Sequence, residues 1–269
     1  MMNFSQDIEF TGIVVTYNEQ RHLLECLRSL AFCEQLLVID LGSTDSSIDI
    51  AEECGAEIIY HERVPIVEQI RNHAKTHAKN DWIVFLDPDE VLPIGIQNEI
   101  RSVIARDPNL GAIKIPMRYY FMGKRLDCTR WGIEHRIVRV CNKGRIKFSS
   151  SIFNGSEVLE GYHSVVLENQ SPNSFIKHYW VDSYQEMFAK HWRYLKHEGV
   201  ARYNAGQRFS WRFTLRNTCS ALKQNIIDYQ GYRCGFIGFF LSFFYSWFIF
   251  MSNFSVRRYQ RSISHSKEQ

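Results

Sequence analysis

No C-x-x-C pair occurs among the seven cysteines, at positions 26, 33, 54, 128, 141, 219 and 234. An odd, scattered set of this kind argues against both a zinc centre and a disulfide framework, so neither is expected, and a reducing compartment suits the chain. No G-x-G-x-x-G follows the first apolar strand, which sets aside a dinucleotide dehydrogenase. His73 and His77 stand four apart on an expected helix but lack the glutamate of H-E-x-x-H, with Lys75 between them, and read as a solvated or partly packed pair. The segment Met1–Asp7 has neither a basic region nor a following apolar core, so no secretory signal is visible and a cytoplasmic protein is expected. Internal repeats and low-complexity linkers are absent as well.

Charge is missing altogether from Cys234 to Val256, a stretch dominated by aromatic residues and followed by Arg257, Arg258 and Arg261. As a helix rising about 1.5 Å per residue it is long enough to cross a hydrocarbon layer of roughly 30 Å. A break near Gly235, Gly238 or Ser246 would instead make a re-entrant or interfacial hairpin that keeps both basic ends on the cytoplasmic side. A buried core helix of a large fold is the competing interpretation. The net charge of +3 hides a division: residues 1–176 carry 18 Lys/Arg against 24 Asp/Glu, and residues 177–269 carry 14 against 5. An acidic half at −6 and a basic half at +9 follow, and the basic half beside the aromatic stretch points to a phospholipid surface rather than to nucleic acid.

With 45% hydrophobic and 23% charged residues over 269 positions, the chain can bury a full core. Short apolar runs alternate with amphipathic ones over the first hundred residues, the pattern of a mostly parallel sheet with helices on both faces. Strands are expected at about Phe10–Thr16, Leu36–Ile39, Glu57–Tyr60 and Trp82–Leu86. Between them lie helices opened by Asn18, by Ser43, Thr44 or Asp45, and by Pro65, the last carrying Ile66, Ile70, Ala74 and Ala78; a further helix runs from Pro93 to Asp107-Pro108. After Leu110 the period changes to alternation, with a turn at Asn142-Lys-Gly144, giving a hairpin-rich β section over about 111–176 that would wall the acceptor side. Helix resumes at Ser183. The expected organisation is therefore a catalytic domain over 1–176, its nucleotide half at about 1–110, and a basic helical region over 177–269.

The densest chemical signal is Asp81-Trp-Ile-Val-Phe-Leu-Asp87-Pro88-Asp89-Glu90, an apolar strand that stops at carboxylates two residues apart. Delivered to a sheet edge, such carboxylates suit a divalent cation held against a diphosphate, the chemistry of activated-sugar transfer. D-x-D alone is common, because turns after strands favour Asp and Pro. Two further strands end in polar residues, at Thr16-Tyr17-Asn18-Glu19 and at Asp40 before Gly42-Ser43-Thr44-Asp45.

The order V-V-T-Y-N-E, V-I-D-x-G-S-T-D, R-N-x-A, D-P-D-E resembles family 2 glycosyltransferases of the GT-A fold, over roughly the first 90 residues. The later Ser183-Tyr-x-x-Met-x-x-Lys-x-x-Arg-Tyr194 and Gly231-Tyr-Arg-Cys-Gly-Phe look like the subgroup that builds lipopolysaccharide core or other surface glycans. The resemblance implies a Rossmann-like α/β fold, inversion at the sugar carbon, a UDP-sugar or similar nucleotide-sugar donor, and a glycan or lipid-linked acceptor at the inner face of the cell membrane. It places Thr16, Tyr17 and Glu19 beside the nucleotide, Asp40 on the base, Arg71 on the base or diphosphate, Asp87 on the ribose or metal, and Asp89 as metal ligand proper. Mg²⁺ or Mn²⁺ suits two carboxylates completed by phosphate oxygens. The catalytic base expected before an Arg-hydrophobic-x-Arg strand is Glu134, with Asp127 and Glu157 as runners-up; the family's Val-His-Glu is replaced by Ser151-Ile-Phe-Asn-Gly-Ser-Glu157.

Each residue also has a plainer role. Asn18 and Glu19 can open a helix, Asp40 and Asp45 can cap the next, Arg71 can be a solvated face residue, and Glu134 can pair with Arg130 or Arg136. A non-catalytic membrane scaffold on a degenerate nucleotide-sugar fold is the alternative to the enzyme.

Overall fold

The computed structural model describes residues 8–64, 68–148, 155–168 and 174–267. Met1–Asp7, Pro65, Ile66 and Ser151–Asn154, on which some expectations fell, lie outside the described residues. The elements in chain order are β1 Phe10–Thr16, α1 Gln20–Ser29, β2 Gln35–Asp40, α2 Ser47–Glu53, β3 Glu57–Tyr60, α3 Glu68–Ala74, β4 Trp82–Leu86, β5 Glu90–Val91 and α4 Ile96–Arg106. They continue as β6 Leu110–Phe121, β7 Lys124–Arg125, α5 Thr129–Gly132, β8 His135–Asn142, β9 Ile146–Phe148, β10 Ser156–Val158, β11 His163–Val166 and β12 Ile176–Val181. Three long helices close the chain: α6 Tyr184–Asn204, α7 Trp211–Lys223 and α8 Gly235–Lys267.

The class is mixed α/β, as expected. One sheet has the order β3-β2-β1-β4-β8-β6-β12-β5, with β7 and β11 also pairing β6. The segment β3-β2-β1-β4 is parallel, and β8 joins it antiparallel to β4. Every residue of β1 and β4 is buried, which is why those strands read as unbroken apolar runs rather than as alternation. Helices α1 and α4 cover the sheet through Leu23, Cys26 and Leu27 and through Ile96, Ile100 and Ile104. The core beside the site gathers Ile13, Val15, Leu37, Ile39, Ile70, Ala74, Phe85 and Phe148.

The chain forms two compact units. The first comprises 1–118 and 134–179, and the second 119–133 and 180–269. In the second, Ser183 caps α6 by accepting from Glu186 N, while the Glu186 carboxylate accepts the N–H of Asp182, the residue before the cap, at 2.9 Å, a variant of the capping box. Trp131 stacks on Trp180 at 4.6 Å within a core that includes Phe121, Met187, Leu241 and Phe244. Gly199 lets α6 approach α8 closely, since a Cβ there would stand 2.7 Å from the Ser255 carbonyl oxygen.

Two expectations are corrected in this unit. Cys128 and Cys234 form a disulfide with Cα atoms 6.2 Å apart, against the expectation of none. Their separation of 106 residues gave no motif to read; packing of α5 beside the turn before α8 brings them together. The aromatic stretch is one continuous helix, unbroken at Gly238 and Ser246. The chain turns at Gly235, where φ is +58°, a value glycine adopts without strain. Ser242 Oγ donates to the Gly238 carbonyl and Ser246 Oγ to that of Ser242, so these hydroxyls are satisfied inside the helix.

Candidate functional site

Register decides which residues share the rim of the first unit. Thr16 pairs with Asp40 across β1 and β2, and Val14 with Leu86 across β1 and β4, so the residues just beyond β4 emerge at the same sheet edge as the loop after β1. That loop is fastened to the loop after β2. Asn18, at φ +56°, takes the Thr44 N–H on its Oδ1 at 2.7 Å and donates its own N–H to Ser43 Oγ at 3.0 Å. Glu19 N donates to Ser47 Oγ, and Gln20 N to Asp45 Oδ2. Asn18 thus ties the two loops together instead of capping α1, whose cap position falls on Glu19.

Asp40 is buried, and both its oxygens accept main-chain N–H groups, from Gly42 at 2.9 Å and Ser43 at 3.1 and 3.2 Å. In this structure it organises the loop; a nucleotide base reaching it would share that carboxylate. Thr16 is also buried, its Oγ1 lacking a hydrogen-bond partner among the described residues. Tyr17 is half-buried beneath Arg63, whose guanidinium lies 3.9 Å from the ring centroid and donates to the phenol oxygen at 3.1 Å. The pair offers a flat, cationic wall at the rim.

The D-P-D-E turn is the most heavily braced part of the unit. Asp87, with 30% of its side chain exposed, accepts from Arg71 at 3.3 Å and from Arg139 at 2.7 Å. Arg71 therefore faces the carboxylates, not bulk solvent. Asp89 Oδ2 stands 3.2 Å from His178 Nε2, and its carbonyl accepts the Tyr179 N–H at 2.8 Å. Glu90 is fully buried, accepts the Asp87 N–H at 3.1 Å, and pairs with Arg139, itself only 6% exposed. Burial pushes the Glu90 carboxyl above its ordinary 4.5, and the Arg139 guanidinium opposes the rise. Burial, reinforced by the neighbouring carboxylates, keeps the Cys26 thiol protonated, and it donates to the Asp87 carbonyl at 3.4 Å.

Arg139, Glu90 and His178 were not among the residues expected from sequence. One signal was present: Arg139 is a cation inside the apolar run Ile137-Val138-Arg139-Val140, and a buried guanidinium demands a carboxylate. His178 had no such signal, because its partner lies 89 residues away.

Glu134 precedes β8, where the chain runs antiparallel to β4. Its carboxylate accepts from Arg118 at 3.2 Å and from Arg136 at 2.9 Å, and five residues of extended strand, roughly 17 Å, separate it from Arg139. The runners-up lie elsewhere: Asp127 pairs with Arg125 in the second unit, and Glu157 is exposed on β10. His73 and His77 are exposed, their Nε2 atoms 3.3 Å apart. Among the described residues no three His, Cys, Asp or Glu side chains are grouped to hold a metal. Asp87 and Asp89 share one turn and are oxygen donors of the type a hard cation takes, with His178 beside Asp89.

Residues 11–126 match Glycosyl transferase family 2. The match begins in β1 and extends beyond the D-P-D-E turn to the end of β7, so it contains all the rim residues except Arg139 and His178. An uncharacterized glycosyltransferase of Rickettsia bellii is 32% identical over 98 residues, covering 36% of this chain and 33% of the relative. One from Rickettsia conorii is 30% identical over 105 residues, covering 39% and 37%. The matched stretch thus spans about a third of the curated relatives' length. Among solved structures, Staphylococcus aureus TarS 1–349 aligns over 95% of this chain and 92% of its own at 15% identity and a TM-score of 0.46. The mannosyltransferase PcManGT of Pyrobaculum calidifontis, solved with GDP-Man and Mn²⁺, aligns over 40% and 35% at 23% identity and 0.36.

Proposed function

We propose that this chain is an inverting, metal-dependent glycosyltransferase that moves a sugar from a nucleotide-diphosphate donor, a UDP-sugar, to a lipopolysaccharide-core or other surface-glycan acceptor at the cytoplasmic face of the membrane. The observation that carries it is the braced D-P-D-E turn at the C-terminal rim of a parallel sheet, inside the stretch that matches the glycosyltransferase family.

In this reading Tyr17 and Arg63 hold the nucleotide from one side, Glu19 and the loop fastened by Asp40 border it, and Arg71 and Arg139 fix the orientation of Asp87. Asp89, steadied by His178 and by Tyr179 N–H, is the metal ligand proper, with Asp87 beside it. Mg²⁺ or Mn²⁺, when bound there, neutralises the charge that develops on the departing diphosphate. Glu134 takes the proton of the acceptor hydroxyl as that oxygen attacks the sugar carbon; to do so the hydroxyl must compete with Arg118 and Arg136 for the carboxylate. Attachment to the membrane is supported by α8. It is long and apolar enough to cross a bilayer, and only about a third of its most apolar stretch is buried.

One observation favours the rival reading of a non-catalytic scaffold: Asp87 is already engaged by two guanidinium groups, as a purely structural carboxylate would be. Incubating the protein with a panel of nucleotide sugars and Mn²⁺ separates the two. Release of a nucleoside diphosphate from one donor, abolished in Asp89→Ala with circular dichroism unchanged, is the expected result; no turnover of any donor would favour the scaffold.

A further inference from the structure

Helix α7 is built inside out. Its buried positions hold Thr214 and Ala221, with Asn225 buried in the turn that follows, whereas Trp211, Phe213 and Leu215 are 48%, 39% and 55% exposed. The hydroxyls of Thr214 and Thr218 donate back to the carbonyls of Ser210 and Thr214, so both are satisfied within the helix. Helix α8 shares the feature in part: Ser242, Ser246, Ser252 and Asn253 are buried alongside Leu241, Phe244 and Val256, while Phe236, Phe239 and Phe243 are exposed. In water that arrangement wastes apolar area on solvent. In contact with lipid it is the expected one, because small polar residues then line helix contacts and apolar residues face outward.

Charge says which lipid. On α7, Arg212, Arg216 and Lys223 are all exposed, and at helical spacing they form one row flanked by Trp211 and Leu215 on one side and Phe213 on the other. Residues 205–227 contain no Asp or Glu to neutralise them. Beside the start of α7, the Arg257 guanidinium lies 5.1 Å from the Trp211 ring, 5.4 Å from Phe209 and 5.7 Å from Phe254. A cation among rings, with aliphatic stems along apolar surface, suits the boundary between headgroups and acyl chains.

We propose that α7 is a second membrane contact, separate from the apolar stretch of α8: an interfacial helix that docks on anionic phospholipid through Arg212, Arg216 and Lys223 and sinks Trp211, Phe213 and Leu215 to the acyl boundary. It deepens the membrane part of the proposed function and rests on that part alone, not on sugar transfer. The full chain, diluted from detergent, is floated with vesicles of phosphatidylcholine alone or mixed with phosphatidylglycerol. The native chain binds both and prefers the anionic vesicles, a preference that weakens as salt rises. Arg212→Glu/Arg216→Glu lowers partition onto anionic vesicles at least about tenfold, keeps binding to phosphatidylcholine through α8, and leaves the thermal melt in place. Quenching of tryptophan fluorescence by brominated lipid falls in Trp211→Phe.

Unchanged partition in the charge-reversed pair, or unchanged quenching in Trp211→Phe, overturns the proposal while leaving attachment through α8 intact. A native chain that floats with neither vesicle overturns membrane attachment itself. Loss of binding to a short RNA, or conversion of a dimer to a monomer, with vesicle partition unaltered would assign this face to nucleic acid or to a second copy of the chain and so also overturn it.

Discussion

Replacing Arg139 with methionine removes the guanidinium that lies between Asp87 and fully buried Glu90, and the consequence is calculable because Glu90 has a limited escape. Asp87 keeps Arg71 and is 30% exposed, so water compensates much of its loss. Glu90 has no exposure and is left with the more distant His178, its Nδ1 3.9 Å away, so it must either stay ionised without its guanidinium or take up a proton. Its ordinary value is 4.5, so protonation at pH 7 costs about 3 kcal/mol, at 1.36 kcal/mol per pH unit, which is the ceiling on the electrostatic penalty. The sign follows from the direction of the shift. Glu90 titrates higher folded than unfolded, so its ionised form costs stability above the unfolded value and acidification relieves that cost. At pH 5 the ceiling falls to less than about 1 kcal/mol. Thermal melts of native and Arg139→Met protein in the same mild detergent should therefore differ by up to roughly 12 °C at pH 7 and by no more than about 4 °C at pH 5. An equal difference at both pH values would mean that Arg139 acts through packing and that the charge argument is wrong; no difference at pH 7 would mean that Glu90 needs no counter-charge.

Three further outcomes test other parts of the account. His178→Ala should raise the Mn²⁺ concentration needed for half-maximal donor turnover about 10- to 100-fold, because Asp89 loses the group that orients it; a lowered maximal rate at unchanged metal dependence would remove His178 from that role. Glu134→Gln should cut the turnover rate about 10²- to 10⁴-fold with little change in donor affinity, and full activity would move the base to Asp127, Glu157 or a group not yet named. Gly199→Ala should lower the melting temperature of the second unit by an amount equivalent to about 1–3 kcal/mol despite alanine's better helix propensity, since its methyl meets the Ser255 backbone; an unchanged melt would show that α6 and α8 can separate at no cost.

Strands β1 and β4 were legible because both their faces are covered, and the edge strand β3, exposed at Glu57 and Tyr60, through its β-branched pair Ile58-Ile59. Phe10–Thr16, Glu57–Tyr60 and Trp82–Leu86 are apolar or β-branched runs punctuated by turn residues, and they appear with those bounds. D-P-D-E stood out for its position after a buried strand and among the other ordered blocks, although a turn after a strand favours Asp and Pro in any case. Its support was not. Arg139 reaches Asp87 across 52 residues and His178 reaches Asp89 across 89, and no local pattern encodes which distant strand will carry the counter-charge. Asp40 illustrates the opposite difficulty: the same Asp followed by Gly-Ser serves a nucleotide or caps its own loop, and only the hydrogen bonds from Gly42 and Ser43 show that the second role is in use here. Similarly, the composition of 177–269 pointed to a lipid surface through its charge and aromatic content, yet the inversion of α7 emerges only once Thr214 is seen inside and Leu215 outside.

The central claim is that Asp87 and Asp89 hold a divalent cation against a nucleoside diphosphate. Calorimetric titration of UDP into the protein, with and without Mn²⁺, and into Asp89→Asn tests it most directly. Binding of UDP that requires Mn²⁺ and weakens at least about tenfold in Asp89→Asn is the predicted result; UDP binding indifferent to both the metal and the substitution would contradict it.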